Sequence, residues 1–262
     1  MAKNGFRYTF VFLTLCMFVL FAVPVQAGNA EESPLVVTLS DNGIIADYPG
    51  VYTEGSILTI TLPGEYQLKG SLSNGQIIVD CEQNGKVRLF FSGVSVHCED
   101  GPALYIKKCS PRLTIELEEY TLNELSDGIT YANQDKIDAV IYSKGDLTIS
   151  GAGTLNVKGA YRDGIVSKDD LRFKGGKIIV EAVHNGIVGK DCVEIIDGEI
   201  TVNAGNDGIK TTNEDVGMGY ISMESGKVTI VCGDDPLSVI HGISITGGTI
   251  SATIDSSRKP ND

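Results

Sequence analysis

The sequence predicts an all-β fold, a single-stranded right-handed parallel β-helix with about 22 residues and three short strands per coil. Three observations lead to this prediction. An apolar anchor residue returns at a nearly constant interval, and short runs of alternating apolar and polar residues follow each anchor. A glycine then recurs between the second and third runs. A β-sandwich would not repeat the same residue types at the same interval, because each of its hairpins needs its own turn.

The anchor is an isoleucine or leucine that stands next to a polar turn. Its copies are Ile141, Ile165, Ile187, Ile209 and Leu237, at spacings of 24, 22, 22 and 28 residues. The last spacing is longer because residues 213–219 form an inserted loop. Stacked coils would place these side chains in one ladder inside the tube, where each coil buries its apolar face only against its neighbours.

Two further strands follow each anchor. The second strands are predicted at 147–149, 171–173, 193–195, 221–223 and 243–245, and the third at 155–157, 178–180, 200–202, 228–230 and 250–252. Alternation with a period of two is typical of a strand with one buried face. The glycine between these strands, for example Gly176 or Gly198, allows a sharp corner because it has no Cβ. Upstream the spacing is less regular, and 122–137 is predicted to be a loop.

The chain divides into four predicted segments. Residues 1–27 contain basic Lys3 and Arg7, a long apolar run, and small residues before a cleavage site, which predicts a signal peptide. Residues 28–35 are predicted to be a flexible lead, 36–255 the β-helix and 256–262 a polar tail. The alternatives for the N-terminus are a retained membrane anchor and lipidation at Cys16. Cleavage would give a secreted, extracellular protein, either free or associated with a cell surface.

The composition limits the partners. A formal net charge of −13 makes nucleic acid an improbable partner and favours cations. No other segment is apolar enough to cross a bilayer, so we expect no membrane contact after cleavage, and we expect a monomer. The cysteines form no CxxC pair, which argues against zinc. Cys81 and Cys109 are about one coil apart, and the sequence leaves open whether they form a disulfide or remain free thiols.

Two acidic columns flank the anchors. Asp163, Asn185 and Asp207 stand two residues before an anchor, whereas Asp169 and Asp191 stand four residues after one. Adjacent strands lie about 4.8 Å apart, and a Ca²⁺–oxygen bond is about 2.4 Å long. Carboxylates on successive coils could therefore share one calcium ion. We predict Ca²⁺ as the cofactor with these five ligands. The alternative is that the same residues serve turn conformations and bind their own backbone.

A lysine column and two tyrosines are the predicted carbohydrate-binding residues. Lys144, Lys168 and Lys190 each stand three residues after an anchor. They either balance the acidic columns or contact the carboxylates of an acidic polysaccharide. Tyr142 and Tyr161 are predicted to be exposed and to stack on sugar rings.

Four segments carry a resemblance to a known family. They are SKDDL at 167–171, NDGIK at 206–210, GQIIVD at 75–80 and KVRL at 86–89. In combination they resemble the secreted bacterial carbohydrate-binding domain-containing proteins, over residues 36–254. The resemblance implies a pectate-lyase-like parallel β-helix that binds calcium and plant polysaccharides such as polygalacturonate and cellulose. The chain departs from the repeat at Asn185 and at 236–237, which bears on the calcium count and the last coil.

Three functions remain open at this point. The first is non-catalytic, calcium-bound recognition of an acidic, pectin-like polysaccharide. The second is a calcium-dependent polysaccharide lyase in which Lys168 or Arg162 removes a proton. The third is a structural or adhesin solenoid. The histidines His97, His184 and His241 show no partner pattern in the sequence, which argues against a nucleophilic triad. The sequence favours a protein without catalytic activity.

Overall fold

The structure, a computed structural model, describes residues 33–132 and 137–260. The predicted signal peptide and residues 28–32 of the predicted lead lie outside this range. The described chain is a parallel β-helix of about eight turns. A short 3-10 helix, Ser256–Arg258, lies in the predicted polar tail. Among the described residues, no helix has the length and hydropathy needed to cross a membrane.

The described strands follow one another around the tube. In chain order they are β1 (Leu35–Leu39), β2 (Val51–Glu54), β3 (Ile57–Ile60), β4 (Gly64–Leu72), β5 (Gln76–Asn84), β6 (Val87–Cys98), β7 (Leu104–Ser110), β8 (Leu113–Leu117), β9 (Leu122–Asp127), β10 (Ala139–Ser143), β11 (Leu147–Gly151), β12 (Thr154–Gly159), β13 (Asp163–Ser167), β14 (Asp170–Ala182), β15 (Ile187–Gly189), β16 (Cys192–Ala204), β17 (Ile209–Thr211), β18 (Tyr220–Met223), β19 (Lys227–Cys232), β20 (Leu237–Ser238), β21 (Gly242–Ile245) and β22 (Thr249–Ile254).

The first strand of each coil belongs to one sheet, which we call the anchor sheet. Its order is β2-β3-β5-β7-β10-β13-β15-β17-β20, and every neighbouring pair is parallel except the β2–β3 hairpin. Ile141 pairs with Ile165, Ile165 with Ile187, Ile187 with Ile209, and Ile209 with Leu237. The four isoleucines are fully buried. The predicted anchor ladder is therefore confirmed in register.

The second and third strands of each coil belong to the other sheet. In β14 and β16 they run together as one long strand that bends at the recurring glycine. Gly176 and Gly198 have φ values of 82° and 125°, which residues with a side chain rarely adopt. A Cβ on Gly198 would also lie 3.1 Å from the carbonyl oxygens of Gly175 and Gly176. The three-strand coil is thus confirmed, with a continuous strand at these corners.

The prediction of a loop over 122–137 is wrong for its first part, because β9 pairs with β6 and β12. The buried positions of β9 include a polar residue, Asn123, which hides the apolar alternation in the sequence. The Asn123 side chain accepts hydrogen bonds from the N–H groups of Gly93 and Val94 and donates one to the Thr154 carbonyl. A buried amide is tolerated here because its polar atoms have partners.

All five cysteines of the described chain are free thiols. For Cys81 and Cys109 the structure therefore shows the free-thiol alternative and not a disulfide. Burial, with a contribution from Cys81, raises the pKa of the Cys109 thiol to about 11. A thiol with so high a pKa is a weak nucleophile at neutral pH.

The anchor ladder predicts a large loss of stability on truncation. Ile187→Ala should lower the free energy of unfolding by about 2–5 kcal/mol, because the cavity lies between two stacked coils that cannot collapse into it. The matched control is Val216→Ala in the inserted loop, where the valine is 97% exposed. The control should change stability by no more than about 0.5 kcal/mol. Urea unfolding followed by circular dichroism measures the free energy of unfolding of both variants. Equal losses would contradict the prediction that the anchor ladder stabilises the fold.

Candidate functional site

A lysine column runs along the outside of the anchor sheet, where each of its strands ends. The N–H groups of Lys144, Lys168 and Lys190 donate to carbonyls of the preceding coils, so these residues stack on successive coils. Lys107 continues the column one coil earlier, because Ile106 pairs with Ser143. Lys107 is not among the residues predicted from the sequence, because the repeat is irregular upstream of β10. We call Lys107, Lys144, Lys168 and Lys190 the lysine column.

Two ammonium groups of the lysine column form no ion pair with a carboxylate of the described ranges, although the charge of Lys168 acts on nearby Asp138. Lys144 Nζ lies 5.6 Å from the centroid of the Tyr105 ring, and Lys168 Nζ lies 5.6 Å from that of Tyr142. Lys107 pairs with Asp80 at 2.7 Å, and Lys190 lies 3.6 Å from Asp191. The middle of the column therefore presents two cationic groups that remain available to an external anion.

The two predicted tyrosine platforms differ from expectation. Tyr142 is only 3% exposed, so the prediction that it is exposed is wrong. It packs in an apolar cluster with Tyr131 and Val166 that covers the outside of the anchor sheet, and burial raises its pKa to about 12. Tyr161 is half-buried and stacks on Tyr131 with ring centroids 4.3 Å apart. The Tyr131 ring therefore covers one face of Tyr161, which leaves only the other face for a sugar ring.

The column Asp163, Asn185 and Asp207 is buried, and each of its side chains forms hydrogen bonds. The Asn185 N–H donates to Asp163 Oδ1 at 2.9 Å, and the Asp207 N–H donates to Asn185 Oδ1 at 3.3 Å. A ring nitrogen of His184 lies 2.8 Å from Asp163 Oδ1, and Lys210 Nζ donates to Asp207 Oδ2 at 2.7 Å. This geometry favours the turn alternative for the three residues, and a metal at this column stays a prediction.

The other predicted metal residues, Asp169 and Asp191, meet in the turns that follow the lysine column. The carboxyl groups of these two residues are neighbours, and Asn213 Nδ2 donates to Asp191 Oδ1 at 2.5 Å. Asp146 and Asp170 also lie here: one oxygen from each of Asp146, Asp169 and Asp170 falls within 4.8 Å of the others. We call Asp146, Asp169, Asp170 and Asp191 the carboxylate cluster. Asp170 directly follows Asp169, and Asp146 occupies the same position of the repeat one coil earlier.

The carboxylates of this cluster are unequally neutralised. Arg112 lies 3.2 Å from Asp146, and Arg172 lies 2.6 Å from Asp170. Arg172 also pairs with Glu194. Burial, the contact with Asp191 and the charge of Asp146 raise the pKa of Asp169 to about 6. Protonation of Asp169 therefore reduces the repulsion among these carboxylates. At neutral pH, where that proton is lost, a bound divalent cation would reduce the same repulsion.

The donor set fits calcium. All four cluster side chains offer hard oxygen ligands, which calcium prefers, and none offers the sulfur or imidazole typical of zinc or copper. Two oxygens 4.8 Å apart can both touch one ion whose bonds are about 2.4 Å long. When bound, calcium would supply positive charge at the turns beside the lysine column.

Comparisons with known proteins agree with this fold. The profile of the family described as carbohydrate-binding domain-containing protein matches residues 54–261. This chain belongs to that family. A member of the same description from Acetivibrio thermocellus is 35% identical over 236 residues, which cover 88% of this chain and 82% of the relative.

A solved structure is also similar. It is a polysaccharide lyase-like protein from C. thermocellum, studied as a gadolinium derivative, with a TM-score of 0.75 and 31% identity. The match covers 85% of this chain and 96% of that one. The resemblance found in the sequence and the pectate-lyase-like parallel β-helix are therefore confirmed, and family membership indicates a polysaccharide partner.

The buried ladder of Asp163, Asn185 and Asp207 predicts a structural role for the central amide. Asn185→Ala should lower the free energy of unfolding by about 1–3 kcal/mol, because it removes the acceptor of the Asp207 N–H and leaves that group buried. Asn203→Ala is the matched control, since Asn203 is half-buried on the outside of β16 and makes no side-chain hydrogen bond within the described chain. Thermal unfolding compares the two variants. A control as destabilised as Asn185→Ala would contradict the assignment.

Proposed function

We propose that this chain is a secreted, non-catalytic protein that binds an acidic, pectin-like polysaccharide along the lysine column, with calcium held by the carboxylate cluster. The observation that carries the proposal is the adjacency of the two features. Lys168 directly precedes Asp169, Lys190 directly precedes Asp191, and Lys144 stands two residues before Asp146. Cationic groups and a candidate cation site therefore run side by side over the same coils.

Spacing supports an extended polyanion as the ligand. Successive lysines of the column are separated by one coil, about 4.8 Å. A linear chain of uronate units lying along the tube axis would present its carboxylates to the ammonium groups one after another. Lys144 and Lys168 can form charge-assisted hydrogen bonds without first breaking an ion pair.

The overall charge of −13 opposes binding of a polyanion, so local charge has to decide. At physiological ionic strength the Debye length is about 8 Å, which screens distant carboxylates but not groups in contact. Lysines within hydrogen-bond reach of the ligand outweigh the distant acids. A calcium ion at the cluster would lower the local repulsion further. Calcium usually has about 6–8 oxygen ligands, so it could also coordinate a uronate oxygen.

The N-terminal sequence and the composition of the site support two further parts of the proposal. The basic, apolar and small-residue pattern of 1–27 supports secretion. We propose that the protein acts as a monomer, because a single chain supplies both the lysine column and the cluster.

A calcium-dependent polysaccharide lyase is the second candidate. One observation favours it: Lys168 forms no ion pair with a described carboxylate and directly precedes Asp169 of the cluster. A lyase needs such a base close to a metal that acidifies the proton next to a uronate carboxyl. Arg162, the other candidate base, lies against His184 and Asp138. Formation of an unsaturated, ultraviolet-absorbing product that Lys168→Ala abolishes would make the chain an enzyme.

Calcium binding should depend on Asp169 and on pH. We expect Asp169→Asn to weaken calcium binding at neutral pH about tenfold or more, because a formal charge and a ligand oxygen are lost. In the wild type, affinity should fall as the pH drops through about 6, since Asp169 must lose its proton to bind the ion. Isothermal titration calorimetry with Ca²⁺ measures both effects.

The control for this experiment is Asp197→Asn, an exposed aspartate at the glycine corner of β16. It should leave calcium affinity unchanged. The cluster is not the calcium site if Asp169→Asn binds calcium like the wild type, or if wild-type affinity is the same at about pH 7 and about pH 5.

The lysine column predicts which variants lose the polyanion. Lys144→Ala/Lys168→Ala should weaken binding of an oligogalacturonate about 10-fold or more, because two charge-assisted contacts disappear. Lys69→Ala/Lys227→Ala removes two exposed lysines from the other sheet and is the matched control. Calorimetric titration at low and high salt measures the effect, which should shrink as salt rises. Equal losses in both double variants would refute a site at the column.

A further inference from the structure

A cavity opens on the outside of the anchor sheet at its first coils, next to the lysine column. Its volume is about 510 Å³, within the range of roughly 300–1,000 Å³ typical of pockets that hold small ligands. Strands β3, β5 and β7 form its floor, where Ile57 pairs with Gln76 and Ile78 pairs with Tyr105. Lys107, the first member of the lysine column, lines the cavity, and so does Tyr105, over which Lys144 lies.

The floor of the cavity is apolar. Ile57 is 38% exposed, and the outward side chains of Ile78 and Tyr105 are half-buried. Exposed aliphatic and aromatic groups in a concave site usually contact a ligand. Sugar rings have an apolar C–H face that packs on such a surface, and a tyrosine adds a hydroxyl at its edge.

The rim provides one oriented donor and one oriented acceptor. Gln76 Nε2 donates to the Pro102 carbonyl at 2.8 Å, which fixes its amide and leaves Oε1 as an acceptor. Asn74 Oδ1 accepts the Glu99 N–H at 3.1 Å, which leaves Nδ2 as a donor. Neither of these remaining atoms has a partner in the part of the chain that the structure describes. Two amides held in place in this way match a ligand that both donates and accepts, such as neighbouring sugar hydroxyls.

The charges of the rim select against an acidic sugar. Lys107 is the cationic group of the cavity, and Asp80 neutralises it at 2.7 Å. Asp100 lines the same cavity and forms no ion pair with any described residue. A uronate carboxylate in the cavity would meet this carboxylate, while the unpaired Lys144 lies over the Tyr105 ring on the side of the lysine column.

We propose that the cavity is a binding site for a neutral pyranose ring, separate from the polyanion site at Lys144 and Lys168. The inference rests on the proposed carbohydrate-binding function and extends it. The column holds uronate units, while the cavity holds a neutral unit of the same glycan, either at its end or on a branch. The ring would pack on Ile78 and Tyr105 while its hydroxyls bond to Asn74 and Gln76.

The experiment uses three neutral disaccharides as probes: cellobiose, xylobiose and β-1,4-galactobiose. Saturation-transfer difference NMR gives the dissociation constant of each for the full chain. At least one should bind, and Asn74→Ala/Gln76→Ala should weaken it about 10-fold, because two oriented hydrogen bonds are lost. Ile78→Trp, which fills the cavity, should abolish the signal. Gln67→Ala is the matched control, since that amide bonds to Glu118 on the other sheet.

Binding of none of the three probes would overturn the proposal, and so would binding that the double variant leaves unchanged. If Ile78→Trp fails to fold, the Asn74→Ala/Gln76→Ala variant still tests whether the cavity binds the disaccharide. Lys168→Ala separates this inference from the proposed function, because Lys168 lies over Tyr142 and away from the cavity, so this variant should keep the disaccharide and weaken oligogalacturonate binding. Loss of the neutral probe in that lysine variant would show that the two sites are one.

Discussion

Stacking of each coil on the next in constant register is the constraint on which the other features of this molecule depend. Parallel pairing places Ile165 between Ile141 and Ile187, and the same register aligns every position that follows an anchor. Because strands lie about 4.8 Å apart, a residue type that recurs in the sequence becomes a column of side chains at contact distance. Apolar residues then form the core, and recurring polar residues become closely spaced sites.

The same geometry gives acidic residues opposite roles in neighbouring columns. Asp163 and Asp207 meet backbone N–H groups of adjacent turns and the side chains of His184 and Lys210, so their charge is satisfied internally. Asp169 instead meets other carboxylates, and its pKa rises to about 6. The difference follows from what lies beside each column and not from the residue type. Charge left uncompensated at the second column is what makes it a candidate for a cation.

The outside of the anchor sheet concentrates the features that suit a glycan. The lysine column includes the unpaired ammonium groups of Lys144 and Lys168. The carboxylate cluster lies in the turns that follow this column, and the cavity beside Tyr105 lies at the first coils of the same sheet. Tyr142, in contrast, is buried in the apolar cluster that contains Tyr131. In the proposed function, recognition would depend on charge and on oriented amides more than on aromatic platforms, which agrees with a chain that lacks tryptophan.

Periodicity alone was enough to predict the parallel β-helix, the anchor ladder and the stacking of Lys144, Lys168 and Lys190, because these follow from one repeated register. Periodicity could not predict features made by irregular segments or by contacts between different columns. The strand β9 was hidden by a buried amide at Asn123. The burial of Tyr142 depends on residues outside the repeat, and the membership of Asp146 and Asp170 in the cluster depends on how neighbouring turns converge. The sequence by itself determined which side chains share a column, since register follows from the repeat. Only the tertiary structure decided which of those columns are neutralised, covered or open, because that depends on packing between segments far apart in the chain.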